Sequence, residues 1–380
     1  MPGGAPATSA GARLLQSGRG ATARGLRRLA PLLTALLLVA CVADPTTSSG
    51  GRVTRADAAR EAAEAFLDTY VDADGRVVRR DQGGDTVSEG QAYGLLLAQV
   101  AADDEAFARI WGWTAGNLQQ PDGLLAWRLQ GDRVVDANPA SDADVLAAWA
   151  LLRQGGQYRE PGLRLAAAVL GAEVVEMPGT GPVLAAGPWA TGAPATLNPS
   201  YWAPGVFVDL AGWTGDTRWA QLADVAVEVT ETLTDHGRLL PPDWARVDGE
   251  VVSATPAPDG STPEAQYGLD AQRLLVWLSA ACDAPVRALA ARSLPLLEAS
   301  DRAAALRLRP TGEVLDDRVG ALPLVASAAA ADAAGREADR DRFLDRAAEV
   351  DAEYPSYYQG AWVALGRAIL TTDLLDPCAR

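Results

Sequence analysis

Apolar residues recur at spacings of three and four along most of the chain after residue 53. This pattern is typical of helices that bury one face in a core. N-cap residues and helix breakers divide the stretch into twelve segments, which predicts an all-α fold. The predicted helices span residues 54–70, 88–102, 104–118, 141–154, 160–176, 200–213, 216–234, 263–281, 284–299, 320–334, 337–351 and 355–373.

The connections between these helices alternate in length. Very short turns, such as Ala102-Asp103, Thr214-Gly215 and Gly335-Arg336, lead from an even-numbered helix to the next odd-numbered one. The rhythm predicts six helical hairpins in a closed double ring, an (α/α)6 toroid with its long connections on one face. Long ordered loops on a rigid scaffold often carry functional residues. The long connections are rich in Gly, Pro and Asp and span residues 71–87, 119–140, 177–199, 235–262 and 300–319.

Three acidic residues are expected on the face of the long connections. Glu89 and Asp142 lie in predicted first turns, and Asp270 lies about two turns into its predicted helix. A helix N-terminus stabilises a carboxylate, so capping alone accounts for any one of them. Together, each with Trp or Tyr nearby in sequence, they indicate a carbohydrate-cleaving cleft, because glycosidic hydrolysis typically uses a pair of carboxyls. The predicted N-caps of the three helices are Ser88, Ser141 and Thr262.

The N-terminal segment is predicted to be an export signal. It contains five arginines and no acid, followed by an apolar run over residues 29–40 that is too short to span a bilayer. The run ends in Ala40-Cys41, which resembles the bacterial lipobox and implies a lipidated Cys41. The alternative is an ordinary secretory signal. The predicted organisation is therefore a lipoprotein signal peptide (1–40), a Pro-, Thr-, Ser- and Gly-rich flexible tether (41–53) and one catalytic domain (54–380).

Charge and composition narrow the possible partners. The formal net charge is −16 and the chain contains no lysine, which argues against nucleic acid and anionic lipid head groups as ligands. An acidic surface suits a neutral or cationic substrate, although it is equally common as a solvated surface without a role. The lone His236 makes a Ser-His-Asp triad unlikely. Cys282 and Cys378 lack zinc-site spacing and form either an exported disulfide or two buried thiols, so we expect no metal and no cofactor.

Six stretches in order along the chain resemble glycoside hydrolase family 8. Each is weak alone, and their order over about 270 residues makes the resemblance specific. The family contains bacterial endo-β-1,4-glucanases, chitosanases, lichenases and some xylanases, and its fold is the six-hairpin toroid. The matching stretches are residues 87–94 (VSEGQAYG), 122–127 (DGLLAW), 140–144 (ASDAD), 198–204 (NPSYWAP), 270–273 (DAQR) and 357–358 (YY).

The resemblance implies an inverting mechanism and a role for each acid. It implies that Glu89 is the general acid, that Asp270 is the general base and that Asp142 binds and distorts the central sugar. Arg273, one helical turn from Asp270, would hold that base ionised. Leu269 departs from the family pattern, because an aromatic residue often precedes the base. The expected substrate-binding residues are Tyr93, Trp127, Tyr201, Trp202, Arg273, Tyr357 and Tyr358.

The leading hypothesis is a monomeric, endo-acting β-1,4-glucan hydrolase anchored outside the cytoplasm through Cys41, acting beside a cellulose or exopolysaccharide export system. A chitosanase or another β-1,4-glycan hydrolase of the same family is the first alternative, and activity on defined oligosaccharides would separate the two. A non-catalytic glycan-binding lipoprotein is the second. A lyase is disfavoured because such enzymes need Tyr, His or Arg near a uronate and the chain has one histidine.

Overall fold

The computed structural model describes residues 54–299 and 302–377. The predicted signal peptide, the tether, Cys41 and Cys378 lie outside the described residues. The described residues belong to one compact unit. Its helices are α1 (Arg55–Tyr70), α2 (Ser88–Val100), α3 (Asp104–Asn117), α4 (Ser141–Gln154), α5 (Arg159–Ala172), α6 (Pro204–Thr214), α7 (Arg218–Leu233), α8 (Leu269–Ser279), α9 (Ala284–Glu298), α10 (Ala321–Ala333), α11 (Glu337–Glu353) and α12 (Tyr357–Thr371).

The even-numbered helices form a closed inner ring. Each packs against the next, from α2 through α4, α6, α8 and α10 to α12, and α12 packs back against α2. The odd-numbered helices pack outside them. The sequence explains the division, because inner helices such as α10 are buried nearly all round while outer helices such as α11 carry a charged face. The predicted (α/α)6 toroid is confirmed.

The predicted N-termini of three inner helices need correction. Ser88 and Ser141 are the first helical residues rather than N-caps, and the Ser141 hydroxyl instead donates to the carbonyl of Ala185 at 2.6 Å. Helix α8 begins at Leu269, not at residue 263, because Tyr267 pairs its backbone with Leu308 in an extended conformation.

Thr262, the predicted cap of α8, lies in the preceding connection and accepts a hydrogen bond from the amide of Ala257. Asp270 is consequently the second residue of α8 rather than a residue two turns in. The first turn of α6 was also placed too early. Pro199–Tyr201 form a separate 3₁₀ turn, and the helix begins at Pro204.

Short strands occur in the long connections, where only loops were predicted, and at Val174–Met177, where the predicted fifth helix (160–176) extends beyond the observed end of α5 at Ala172. They form four small antiparallel sheets, ordered β1-β2-β3, β4-β5, β6-β7-β8 and β9-β10. The sheet of β6, β7 and β8 joins the α5–α6 connection to the α7–α8 connection. The strands are β1 (Thr86–Val87), β2 (Arg128–Gln130), β3 (Arg133–Asp136), β4 (Val174–Met177), β5 (Gly181–Leu184), β6 (Ala195–Leu197), β7 (Trp244–Asp248), β8 (Val251–Thr255), β9 (Ala305–Leu308) and β10 (Val314–Val319).

Cys282 lies in the turn between α8 and α9 and is disulfide-bonded, so it is not a free thiol. Its predicted partner, Cys378, is outside the described residues. Between residues 54 and 377, the described helices include none that combines the length and the apolarity needed to cross a bilayer.

Candidate active site

The three predicted acids converge on one guanidinium group. Glu89, Asp142 and Asp270 are each the second residue of an inner helix, α2, α4 and α8 respectively. Nη1 of Arg273 donates to Glu89 Oε2 and to Asp142 Oδ2, both at 2.9 Å. Nη2 donates to Asp270 Oδ1 at 3.2 Å. The ring of inner helices therefore brings together, at their N-termini, acids that are far apart in sequence.

Arg273 forms the floor of this site. Its side chain is only 2% exposed. Nη1 also donates to the hydroxyl of Tyr93 at 2.9 Å, and Nη2 donates to the hydroxyl of Ser200 at 2.8 Å. The guanidinium carbon lies 5.4 Å from the ring centre of Tyr201 and 5.9 Å from that of Tyr358. This packing fixes the cation rigidly, so the carboxylates it contacts are held in place as well.

Glu89 has the environment of a proton donor. Its side chain is 18% exposed. Burial raises the pKa of Glu89 to about 8, Arg273 opposes that rise, and the negative charges of Asp142 and Asp270 add to it. A carboxyl with this pKa keeps its proton at neutral pH, as a general acid requires.

Asp270 lies in a more polar setting. Its side chain is 32% exposed. Oδ2 accepts a hydrogen bond from Nδ2 of Asn198 at 3.0 Å, while Oδ1 contacts Arg273. The amide oxygen of Asn198 accepts from the hydroxyl of Ser200 at 2.6 Å, which sets the direction of the amide. Solvent access and fixed donors suit a carboxylate that must activate water.

Asp142 is the deepest of the three acids. Its side chain is buried between Arg273 and the start of α4, and Oδ1 accepts from the backbone amide of Ala143 at 2.8 Å. Burial raises the pKa of Asp142, and its bonds to Arg273 and Ala143 oppose the rise. Its position below the other two carboxyls suits a residue that holds a substrate hydroxyl.

Two further buried acids lie behind Asp142. Asp144 is two residues along α4, and Glu173 ends α5. The amide of Leu125 donates to Asp144 Oδ1 at 2.9 Å, whereas the other oxygen of Asp144 and both oxygens of Glu173 have no hydrogen-bond partner among the described residues. Burial, with the neighbouring negative charges, raises both pKa values well above the usual range.

Asp243 takes the place of an N-cap for the helix that carries the base. It immediately precedes β7 and comes from the α7–α8 connection. Oδ1 accepts from the amides of Gly268 at 2.9 Å and Ala271 at 2.8 Å, on either side of Asp270, and Oδ2 accepts from Nε2 of Gln266 at 2.8 Å. Burial, followed by the charge of Asp270, raises the pKa of Asp243 to about 7. The sequence analysis missed this residue, because nothing in local spacing connects residue 243 with residue 270.

Aromatic side chains line the cleft beside the acids. A cavity of about 390 Å³ is lined by the predicted residues Trp127 and Tyr201. Trp189 and Trp244, which the sequence analysis missed, also line it. The ring centre of Trp244 lies 6.4 Å from that of Tyr201 and 6.5 Å from that of Trp189. Trp189 and Trp244 are aromatic residues within the long connections, and this placement could have identified them as cleft residues from the sequence. Their arrangement provides apolar faces of the size of pyranose rings.

A second cavity of about 470 Å³ is lined by Glu89, the predicted proton donor. Its walls include Glu89, Trp127, Tyr201 and Tyr358. The backbone amide of Ser88 donates to the carbonyl of Trp127 at 2.9 Å, which fixes this indole beside the start of α2.

Two of the predicted substrate contacts are wrong in this structure. Trp202 is buried in the core, and its indole N–H donates to the carbonyl of Leu184. Tyr93 is also fully buried, and its hydroxyl accepts hydrogen bonds from Arg273 and from the indole of Trp362. Tyr93 therefore positions Arg273 instead of presenting a face to a sugar. Arg273 likewise acts from below the cleft, through the carboxylates it holds.

Tyr357 and Tyr358 differ although they are neighbours. Tyr358 is half-buried and faces the cleft, whereas the Tyr357 ring is buried against Tyr70 and Phe66. Tyr357 lines the cavity of Glu89 behind Tyr358, but it is only 1% exposed, so it offers little surface for stacking against a sugar. A Cβ atom at Gly90 would lie 2.5 Å from the Tyr357 hydroxyl, so the glycine after the acid permits the close approach of α2 and α12.

Among the described residues, no group of three or more His, Cys, Asp and Glu side chains has the arrangement of a metal site. The acids are instead organised around the Arg273 cation.

Comparison with known proteins gives consistent results. The family described as Glycosyl hydrolases family 8 matches residues 33–295. A protein named endoglucanase from Xanthomonas axonopodis pv. citri is 35% identical over 210 residues, which is 50% of this chain and 54% of that protein. A probable endoglucanase from Novacetimonas hansenii is 33% identical over 202 residues, 50% of this chain and 59% of the relative. The matches thus span little more than half the length of these relatives.

The fold also matches a solved structure. That structure is the endo-beta-1,4-glucanase CMCax from Acetobacter xylinum, with a TM-score of 0.68 and 27% sequence identity, and the match covers 83% of this chain and 99% of that one. With a family match over more than half of its residues, the chain belongs to glycosyl hydrolase family 8.

Proposed function

We propose that the chain is an endo-acting, inverting hydrolase of β-1,4-glucan. The observation that carries the proposal is the convergence of Glu89, Asp142 and Asp270 on one buried guanidinium at the base of an aromatic-lined cleft. Relatives that are named endoglucanases support the choice of substrate.

In the proposed reaction, Glu89 protonates the glycosidic oxygen as its bond to the anomeric carbon breaks. A water molecule attacks that carbon from the opposite side, and Asp270 accepts the proton that the water releases. Asp142, fixed by the Arg273 cation beneath it, holds the reacting sugar. Proton exchange with solvent then restores the protonated Glu89 and the ionised Asp270.

The direct test is a pair of isosteric substitutions. Glu89→Gln removes the transferable proton, and Asp270→Asn removes the base, so each should lower turnover by about 10²–10⁴ with glucan binding largely kept. Glu105→Gln on the outer helix α3 is the matched control, because Glu105 is exposed and remote from the cleft. Turnover on β-1,4-linked oligosaccharides is the measurement, and full activity in Glu89→Gln would refute the assignment.

A second candidate substrate is a cationic β-1,4-glycan such as chitosan. Asp136 and Asp259 line the cavity that contains Trp189 and Trp244, and their charge favours an amino sugar there. A panel of neutral and amino-sugar oligosaccharides decides between them. We expect the neutral glucan to be cleaved faster, since Arg79 lines the cavity on the Glu89 side.

We further propose that the enzyme is exported and anchored to the outer side of the cytoplasmic membrane through a lipidated Cys41. The support is the basic, apolar and small-residue order of residues 1–41. Such an anchor would suit action on a polysaccharide as it leaves an export system.

A further inference from the structure

A second cation lies at the cleft beside the proton donor. Arg79 belongs to the α1–α2 connection, and its side chain lines the same cavity as Glu89, Tyr358 and Asp270. It is 18% exposed, so its charge is only partly screened by solvent. The proposed reaction gives it no role.

Hydrogen bonds to Asp85 and Gln82 fix Arg79 in this position. Its Nε and Nη2 donate to the two oxygens of Asp85 at 2.7 Å and 2.6 Å, and its Nη1 donates to Oε1 of Gln82 at 3.0 Å. The Asp85 side chain is fully buried. Arg128 donates from its Nε to the same carboxylate at 2.5 Å. Arg79 and Arg128 therefore share the single negative charge of Asp85, so these three side chains together carry a net positive charge.

The chain connects this cluster directly to the proton donor. Asp85 precedes β1, and Glu89 follows β1 by two residues. Arg79 holds both oxygens of Asp85, whereas Arg128 reaches only Oδ2, and of these two cations Arg79 alone also lines the cavity of Glu89.

We propose that Arg79 is a positioning residue for catalysis: its fixed charge acts on Glu89 across the cavity and lowers the pH at which the donor loses its proton. The inference rests on the proposed function of Glu89 as the general acid.

The effect of Arg79 on Glu89 has to be compared with that of the other charged groups around this carboxyl. Helix α8 contributes Arg273 and Asp270, α4 contributes Asp142, and the α1–α2 connection contributes Arg79. Arg273 and Arg79 both lower the pKa of Glu89, against burial and the two aspartates, which raise it. The phenol groups on this side come from Tyr93, Tyr357 and Tyr358, and all three have pKa values well above the usual range, so they remain neutral. Arg273 divides its charge among three carboxylates, and Arg79 is the other cation that reaches Glu89.

The test compares the pH dependence of kcat/KM in the wild type and three variants. The alkaline limb of this profile reports deprotonation of the general acid in the free enzyme. Arg79→Gln should move the limb to higher pH by about 0.5–1 unit, because removing a nearby cation makes a carboxyl hold its proton more tightly. Arg79→Lys keeps the charge and should leave the limb near the wild-type position.

Arg128→Gln is the matched control. It removes the same charge from the same partner, but Arg128 is 38% exposed and is not among the residues that line the cavity of Glu89. Its alkaline limb should move less than that of Arg79→Gln, because Arg128 acts on Glu89 only by leaving Asp85 wholly to Arg79. An unmoved limb in Arg79→Gln, or an equal shift in Arg128→Gln, overturns the proposal.

A titration without substrate separates this inference from the proposed function. Carboxyl ¹³C NMR, with the Glu89 signal assigned by its loss in Glu89→Gln, measures the same proton equilibrium even if the protein does not cleave glucan. Should Arg79→Gln fail to fold, Asp85→Asn decides, since it leaves the charge of Arg79 less compensated and should move the Glu89 titration to lower pH. A titration that stays in place, or moves upward, in Asp85→Asn overturns the proposal.

Discussion

Asp144 and Glu173 show how a buried acid affects the stability of this protein. Both side chains are buried, and their raised pKa values mean that the folded state holds their protons more tightly than the unfolded state does. The stabilisation from these protons is complete below the unfolded pKa and is lost as the pH rises toward the folded pKa. The free energy of unfolding should therefore fall at alkaline pH, as Asp144 and Glu173 lose their protons.

Glu173→Gln should reduce this loss of stability at high pH, because an amide has no proton to release. Between about pH 6 and pH 9, the free energy of unfolding of the wild type should fall more steeply than that of the variant, by up to about 1 kcal/mol per pH unit for one proton. Denaturant unfolding at several pH values measures the difference. Glu176→Gln, three residues beyond Glu173 and exposed on β4, is the control. Parallel slopes for the wild type and Glu173→Gln would contradict the prediction.

At the residue scale, the sequence predicted which acids meet but not which aromatic residues face the cleft. Glu89 and Asp142 lie in first helical turns as predicted, whereas Asp270 was predicted two turns into its helix and is its second residue. The side-chain direction of Trp202 or Tyr93 depends on tertiary packing. Within one motif, Tyr201 therefore lines the cleft while its neighbour Trp202 is buried in the core. Trp244 was missed because it lies in a short strand with no helical periodicity.

At the scale of single elements, most helix boundaries follow from the local sequence. Helix α4 was predicted at its observed limits, and α9 to within one residue; Gly155 follows α4, and a proline lies in the first turn of α9. Helix α8 was the largest error. Its first turn is capped by Asp243, a residue more than twenty positions earlier, and long-range capping leaves no local signal.

Asp243→Ala should displace Asp270, the proposed base, as well as destabilise helix α8. Losing the cap should cost about 0.5–2 kcal/mol of stability and free the first turn of α8, so that Asp270 shifts and kcat falls more than KM rises. Kinetics and denaturant unfolding together provide the measurement.

The control for this variant is Asp103→Ala, since Asp103 caps the outer helix α3 through the amide of Ala106 at 2.8 Å. It should lose similar stability with kcat unchanged. An equal fall in kcat for the two variants would mean that Asp243 has only a general effect on stability.

At the scale of the whole molecule, the alternation of short and long connections was sufficient to predict the ring of helices. A helix pair joined by three or four residues must be antiparallel and adjacent, and the five such pairs from α2–α3 to α10–α11 place the long connections on one face. The small sheets within those connections were not predicted, because strands of two to six residues contain too few positions to show an alternating pattern.

The anchor is a property of the full chain and stays a prediction. Cys41→Ser should block processing of residues 1–40 or release the protein from the membrane fraction, since no thiol would remain to be lipidated at the end of the signal. Fractionation of cells that express the wild type and the variant measures this. An unchanged distribution would mean that the signal is an ordinary secretory one or that export does not occur.

The most direct test of the central claim is the anomeric form of the first product. When cleavage of a β-1,4-linked glucose oligosaccharide is followed by ¹H NMR from the first minutes, inversion by Glu89 and Asp270 predicts that the α-anomer appears first and then mutarotates. This outcome requires room for a water molecule between the sugar and Asp270, with about 6.5–9.5 Å between the two carboxyls. A β-anomer as the first product would contradict the assigned roles, and no cleavage would contradict the proposed activity.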